Sequence, residues 1–109
     1  MSENRSLAGQ VLVLKDLVAY QNGAVVSRTI VDRKIGTLTV FAFAAGEGLS
    51  EHTAPFDAVV QVLDGTAEIT ISGVVHKVVA GELLIMPAHQ PHALRASEPF
   101  KMLLTMIRA

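Results

Sequence analysis

The chain has 109 residues, 50% hydrophobic, 17% charged and 5% aromatic, with no cysteine and a formal net charge of −1; its mean hydropathy is +0.44. Disorder is excluded, because it needs low hydrophobicity and high net charge, and a nucleic-acid partner lacks the basic patch it would require. Without cysteine there is no disulfide, no thiolate metal ligand and no thiol nucleophile.

The length fits a single domain over 1–109. The stretches 35–46 and 83–94 carry no formal charge, but both are well short of the roughly 20 apolar residues of a spanning helix. Residues 1–10 carry Glu3 and Arg5 and lack an apolar signal core. The expectation is a cytoplasmic protein with no membrane partner, opening on a flexible tail over 1–8.

Leu14, Leu17 and Val18 recur at helical spacing around Lys15–Tyr20. They predict a helical turn or two, stopped by Asn22-Gly23. Beyond it, glycines and prolines punctuate short runs rich in Val, Ile and Thr. Short strands at this spacing indicate an all-β sandwich or barrel. Thr66–Ile71 alternates strictly, with Ala67, Ile69 and Ile71 on one side and Thr66, Glu68 and Thr70 on the other. Asp64-Gly65 and Ser72-Gly73 suit two-residue hairpins, so Ala58–Leu63, Thr66–Ile71 and Val74–Val79 are expected to form a meander. Gly81-Glu82 then turns the chain into Leu83–Met86. Phe100–Ile107 is the last strand, with Phe100, Met102, Leu104 and Met106 on one face.

The histidines are His52, His76, His89 and His92. His76 lies near a hairpin and reads as a surface residue; Arg95, alternating with Leu94, reads as pointing outward. No serine lies in a Gly-x-Ser-x-Gly elbow and no glycine motif cradles a phosphate. The sequence names no catalytic residue.

Two segments, GEGLSEHTAPFDAVVQVLDG from Gly46 and GELLIMPAHQPHALRA from Gly81, resemble the first and second motifs of the cupin superfamily. The resemblance spans 46–96 and implies a jelly-roll barrel, a double-stranded β-helix. In that family the first motif supplies two histidines and a glutamate and the second a third histidine, which together hold a divalent metal inside the barrel. His52 and His92 match the first and last of these. Ala54 stands where the second histidine would be, and Ala58 where the glutamate would be.

Two imidazoles fall short of the three protein ligands of an ordinary catalytic metal site. Asp57, Glu51 and Gln61 have the wrong strand phase; a bulge near Pro55-Phe56 could rescue Asp57. His89 could swing in from its loop. Two readings stay open. The first is a binding module in which His52 and His92 orient a small molecule within an apolar pocket lined by Ala54, Ala58, Val60, Val62, Leu94, Met102, Leu104 and Met106. The second is a small dioxygenase- or isomerase-like enzyme in which His52, His92 and a third ligand hold iron, manganese, nickel or zinc.

Several strands are apolar on both faces, such as Val59 and Leu63 opposite Val60 and Val62. A second apolar face needs cover, and a homodimer is the expectation.

Overall fold

The computed structural model describes residues 7–108. After a 3₁₀ turn at Leu14–Asp16 come nine strands: β1 (Val25–Arg33), β2 (Gly36–Phe43), β3 (Gly48–His52), β4 (Ala58–Asp64), β5 (Thr66–Ile71), β6 (Val74–Val79), β7 (Leu83–Met86), β8 (His92–Arg95) and β9 (Phe100–Ile107). They form a five-stranded sheet, β1-β2-β9-β4-β7, and a four-stranded sheet, β3-β8-β5-β6. All pairings are antiparallel. This is the all-β jelly roll the sequence implied, with only a short helical turn before it.

The strands form because alternate residues have somewhere to go. Ala67, Ile69 and Ile71 of β5 are buried, and the residues between them are half-exposed. On the five-stranded sheet Val60, Val62, Phe43, Phe100 and Met102 are at most 2% exposed. They join Ile69, Ala67 and Leu94 from the other sheet, and Ala96 just past β8, in one core between the layers. One end of that core is closed by aromatic rings. Phe43 and Phe100 stack with centroids 4.4 Å apart, and Phe41 lies 5.8 Å from Phe43.

One expected turn is not a hairpin. β5 pairs with β6 and β8, and β4 pairs with β7 and β9, so Asp64-Gly65 carries the chain from one sheet to the other. The meander therefore breaks after β4. Gly65 has φ +74°, and a Cβ there would collide with the Pro99 carbonyl. That position needs glycine for both conformation and space. The second turn is a hairpin as expected, with Ser72 and Gly73 both at positive φ.

The outer face of the five-stranded sheet is covered in part by the chain's own N-terminal segment. Leu14, Leu17 and Val18 pack on Val40, Ala42 and Leu103, with Leu38 and Leu63 at the margin. Lys101 pins this segment: its ammonium donates to the Lys15 carbonyl at 2.6 Å and lies 4.9 Å from the Tyr20 ring centroid. The Tyr20 hydroxyl donates to Asp64 at 2.5 Å. Of the tail expected over 1–8, residues 1–6 lie outside the described residues; Leu7 opens a turn closed by the Gln10 N–H. No helix among the described residues is long and apolar enough to cross a membrane.

Candidate functional site

The end of the barrel opposite the stacked phenylalanines carries the two histidines. His52 closes β3 and His92 opens β8, and they are register partners across that pair. Residues 53–57 and 87–91 cross from one sheet to the other here, and the two crossovers are tied together. The His89 N–H donates to the Ala54 carbonyl at 2.8 Å, and the Ala88 N–H to Asp57 Oδ1 at 2.8 Å. Asp57 thus serves as a loop anchor. His89 is exposed on its loop at φ +66°. Among the described residues no third His, Cys, Asp or Glu joins His52 and His92 in a group that could hold a metal.

The two rings meet edge to face, centroids 4.4 Å apart at 72°. Their Nε2 atoms are 3.1 Å apart. Nδ1 of His52 is 2.8 Å from the Ser50 carbonyl, and Nδ1 of His92 is 3.2 Å from the Gln90 carbonyl. A carbonyl only accepts, so the hydrogen-bond pattern assigns the proton to Nδ1 in both rings. Both Nε2 lone pairs then converge on the same space. His92 is 3% exposed, and burial, with the His52 charge as a lesser cause, pushes its pKa below the ordinary imidazole value.

Strand register places the opposite wall. Thr37, Met106, Ala58 and Met86 are neighbours along one row of the five-stranded sheet. Thr39, Leu104, Val60 and Leu84 form the next row inward. Both rows lie on the core side, as alternation from Phe41 and Phe43 requires. Ala54 is half-buried in the crossover after His52. Of the expected pocket residues, Ala58, Val60, Val62, Leu94 and Met102 are packed into the core, and Leu104 and Met106 are half-buried toward the histidine end. Gln61 and Arg95 are exposed on outer faces.

His76 departs from its expected surface position. It is half-buried and pairs with Ile69 on the core side of the edge strand β6. Thr37 was missed by sequence reasoning. Its hydroxyl makes no hydrogen bond to another described residue. A threonine in a strand gives no signal by itself; only the register beside Met106 makes it part of this end.

The two-layer jelly roll with histidines from two strands at one end defines the protein's class. The family described as Cupin domain matches residues 39–107, and the chain belongs to it. It is similar to a conserved protein of unknown function from Streptococcus pyogenes, at 40% identity and TM-score 0.88 over 93% of this chain and 89% of that one. It is also similar to a cupin superfamily protein from Desulfitobacterium hafniense, at 29% identity and TM-score 0.87 over 93% of each chain. A cupin 2 conserved barrel domain protein from Leptotrichia buccalis matches at 39% identity and TM-score 0.83, over 85% of this chain and 45% of that longer one. No curated protein matches the chain significantly.

Proposed function

We propose that the chain is a small-molecule-binding cupin whose site is the His52–His92 end of the barrel. The observation that carries this reading is the convergence of the two Nε2 atoms at 3.1 Å, with both Nδ1 atoms within hydrogen-bond distance of backbone carbonyls. Two facing lone pairs are unfavourable unless a proton, a metal ion or a donor group of a ligand lies at them. Apolar side chains on the opposite wall and two imidazoles at one end match the usual make-up of a small-molecule site.

The same convergence supports the second reading, a metal-dependent enzyme. Its test is the donor set. Neighbouring ligands on an ion with metal–nitrogen bonds of about 2.0–2.1 Å are spaced much as these two nitrogens are. His52 and His92 therefore fit two positions of a divalent iron, manganese, nickel or zinc ion. Such an ion would act as a Lewis acid. Ala54 and Ala58, which stand at the family's other two ligand positions, carry no donor atom in their side chains, so further donors would have to come from water or from the bound molecule.

Elemental analysis of tag-free protein separates the two readings. Metal-free protein that cannot be reloaded, yet binds small molecules at His92, supports the binding module. One tightly held transition metal per chain, lost in His92→Ala, supports the enzyme. We further propose a homodimer, supported by the apolar side chains of β7 and β9 that the N-terminal segment leaves uncovered.

A further inference from the structure

We propose that the histidine end of the barrel selects an uncharged molecule bearing a hydroxyl or amide group, and that Thr37 is the residue that reads this group. The inference rests on the small-molecule reading above and names the ligand class.

Position and charge single out Thr37. Thr37 lies on the core side of β2, beside Met106 and in the same row as Ala58 and Met86. It is half-buried, and its hydroxyl is unpaired within the described residues. Its neighbour on the same face, Thr39, spends its hydroxyl on Thr29 at 3.1 Å. The row thus presents one unpaired hydroxyl beside two thioethers and a methyl group. The imidazoles of His52 and His92 stand on the other sheet at the same end.

No strand position on the core side carries Lys or Arg. Arg28, Lys77, Arg95 and Lys101 pair in register with outward residues, opposite Val40, Glu68, Gly48 and Ala42 respectively. Arg108 follows the end of β9, and its guanidinium donates to the Arg33 carbonyl at 3.2 Å. The one acid in the Thr37 row is Asp32, the register partner of Thr37 on β1. A carboxylate or phosphate entering here would lose its hydration, meet no cation on the core-side strand positions and approach Asp32. A neutral donor–acceptor group loses less and gains the Thr37 hydroxyl. The apolar body of such a molecule would lie on Met86, Ala58 and Met106, thioethers being adaptable contacts.

The test is a matched set of probes: benzyl alcohol, benzamide, benzoate and benzene. Binding is followed by amide chemical shifts of the isotope-labelled full chain at neutral pH. Benzyl alcohol and benzamide are expected to shift resonances of Thr37, Met106 and His92, and benzoate to bind at least about tenfold more weakly. Thr37→Val is expected to weaken benzyl alcohol by about three- to tenfold and leave benzene unchanged. Equal binding of all four probes at this end, or tighter binding of benzoate, would overturn the inference and leave the small-molecule reading standing. So would a Thr37→Val variant with unchanged benzyl alcohol affinity. Absence of any shift at this end with every probe would overturn both.

Discussion

His52 and His92 face each other through Nε2 atoms 3.1 Å apart, one ring exposed and the other buried. The burial of His92 lowers its pKa from the ordinary 6.5. The folded state therefore binds fewer protons at this residue than the unfolded chain does. Stability from this group is complete above about pH 6.5 and is lost as pH falls toward the lower folded value. Thermal unfolding followed between pH 7.5 and 5 should show this decline, and His92→Gln should flatten it. A decline of the same steepness in His92→Gln would assign it to other groups.

Metal affinity at this pair should respond to the two alanines. Ala54 follows His52 in the crossover, and its carbonyl already accepts the His89 N–H, so its backbone is held. Ala54→His offers a third imidazole without touching His52 or His92. Titration with Co2+ at pH 7.5 is expected to show affinity rising by more than about tenfold over the native chain. Since Nε2 must be unprotonated to bind, affinity in both proteins should fall with acid. If Ala54→His gains nothing, residue 54 does not face the His52–His92 pair as the family resemblance implies.

The N-terminal segment carries its own reporter. Tyr20 is the one tyrosine and there is no tryptophan, so absorbance near 295 nm reads this phenol alone. Burial, then the hydrogen bond and negative charge of Asp64, push its pKa well above 10. The folded state holds the proton longer than the unfolded chain, so stability is lost as pH rises above about 10. Asp64→Asn is expected to bring the absorbance titration back toward pH 10. A titration near pH 10 in the native chain would mean that Tyr20 is not docked on Asp64.

The contrast between Gly65 and Gly73 tests the corner. Both have positive φ, but a Cβ on Gly73 meets open space and one on Gly65 meets the Pro99 carbonyl. Gly73→Ala should cost about 1–2 kcal/mol, the left-handed backbone penalty alone. Gly65→Ala should cost clearly more, by urea unfolding, because backbone must also move. Equal costs would remove the steric part of the argument. The aromatic plug is a separate measure: Phe100→Ala should cost about 3–5 kcal/mol.

These two glycines also show where sequence pattern stops. Thr66–Ile71, Val74–Val79, Leu83–Met86 and Phe100–Ile107 were legible residue for residue, because period-two burial and glycine turns are local signals. Asp64-Gly65 and Ser72-Gly73 look alike in sequence, yet one is a corner and the other a hairpin. The difference lies in Pro99, 34 positions away from Gly65, which no local pattern reports. β1 was not delimited because its register slips between Thr29 and Val31, breaking the alternation. In the site, His52 and His92 were legible from motif spacing. Thr37 was not, since its role comes from lying next to Met106, and His76 was misplaced because inward and outward phases of an edge strand are hard to tell apart when both carry valines.

The apolar side chains left on the outer face support the proposed homodimer. The N-terminal segment covers Val40, Ala42 and Leu103. Leu83, Ile85 and Ile107 remain 53%, 51% and 53% exposed, with half-buried Val59 beside Ile85 in register. Leu83 and Ile85 belong to β7, an edge strand whose second side is unpaired. An apolar edge is a template for pairing with a second copy, and lysine on such an edge blocks it. Light scattering on the native chain is expected to give twice the 11.6 kDa chain mass. Leu83→Lys combined with Ile85→Lys should give the single-chain mass with unchanged circular dichroism, since neither side chain belongs to the core. A native chain of single mass would show that this patch is not a homodimer surface. A double variant that stays dimeric would move the interface to the other edges, β1, β3 or β6.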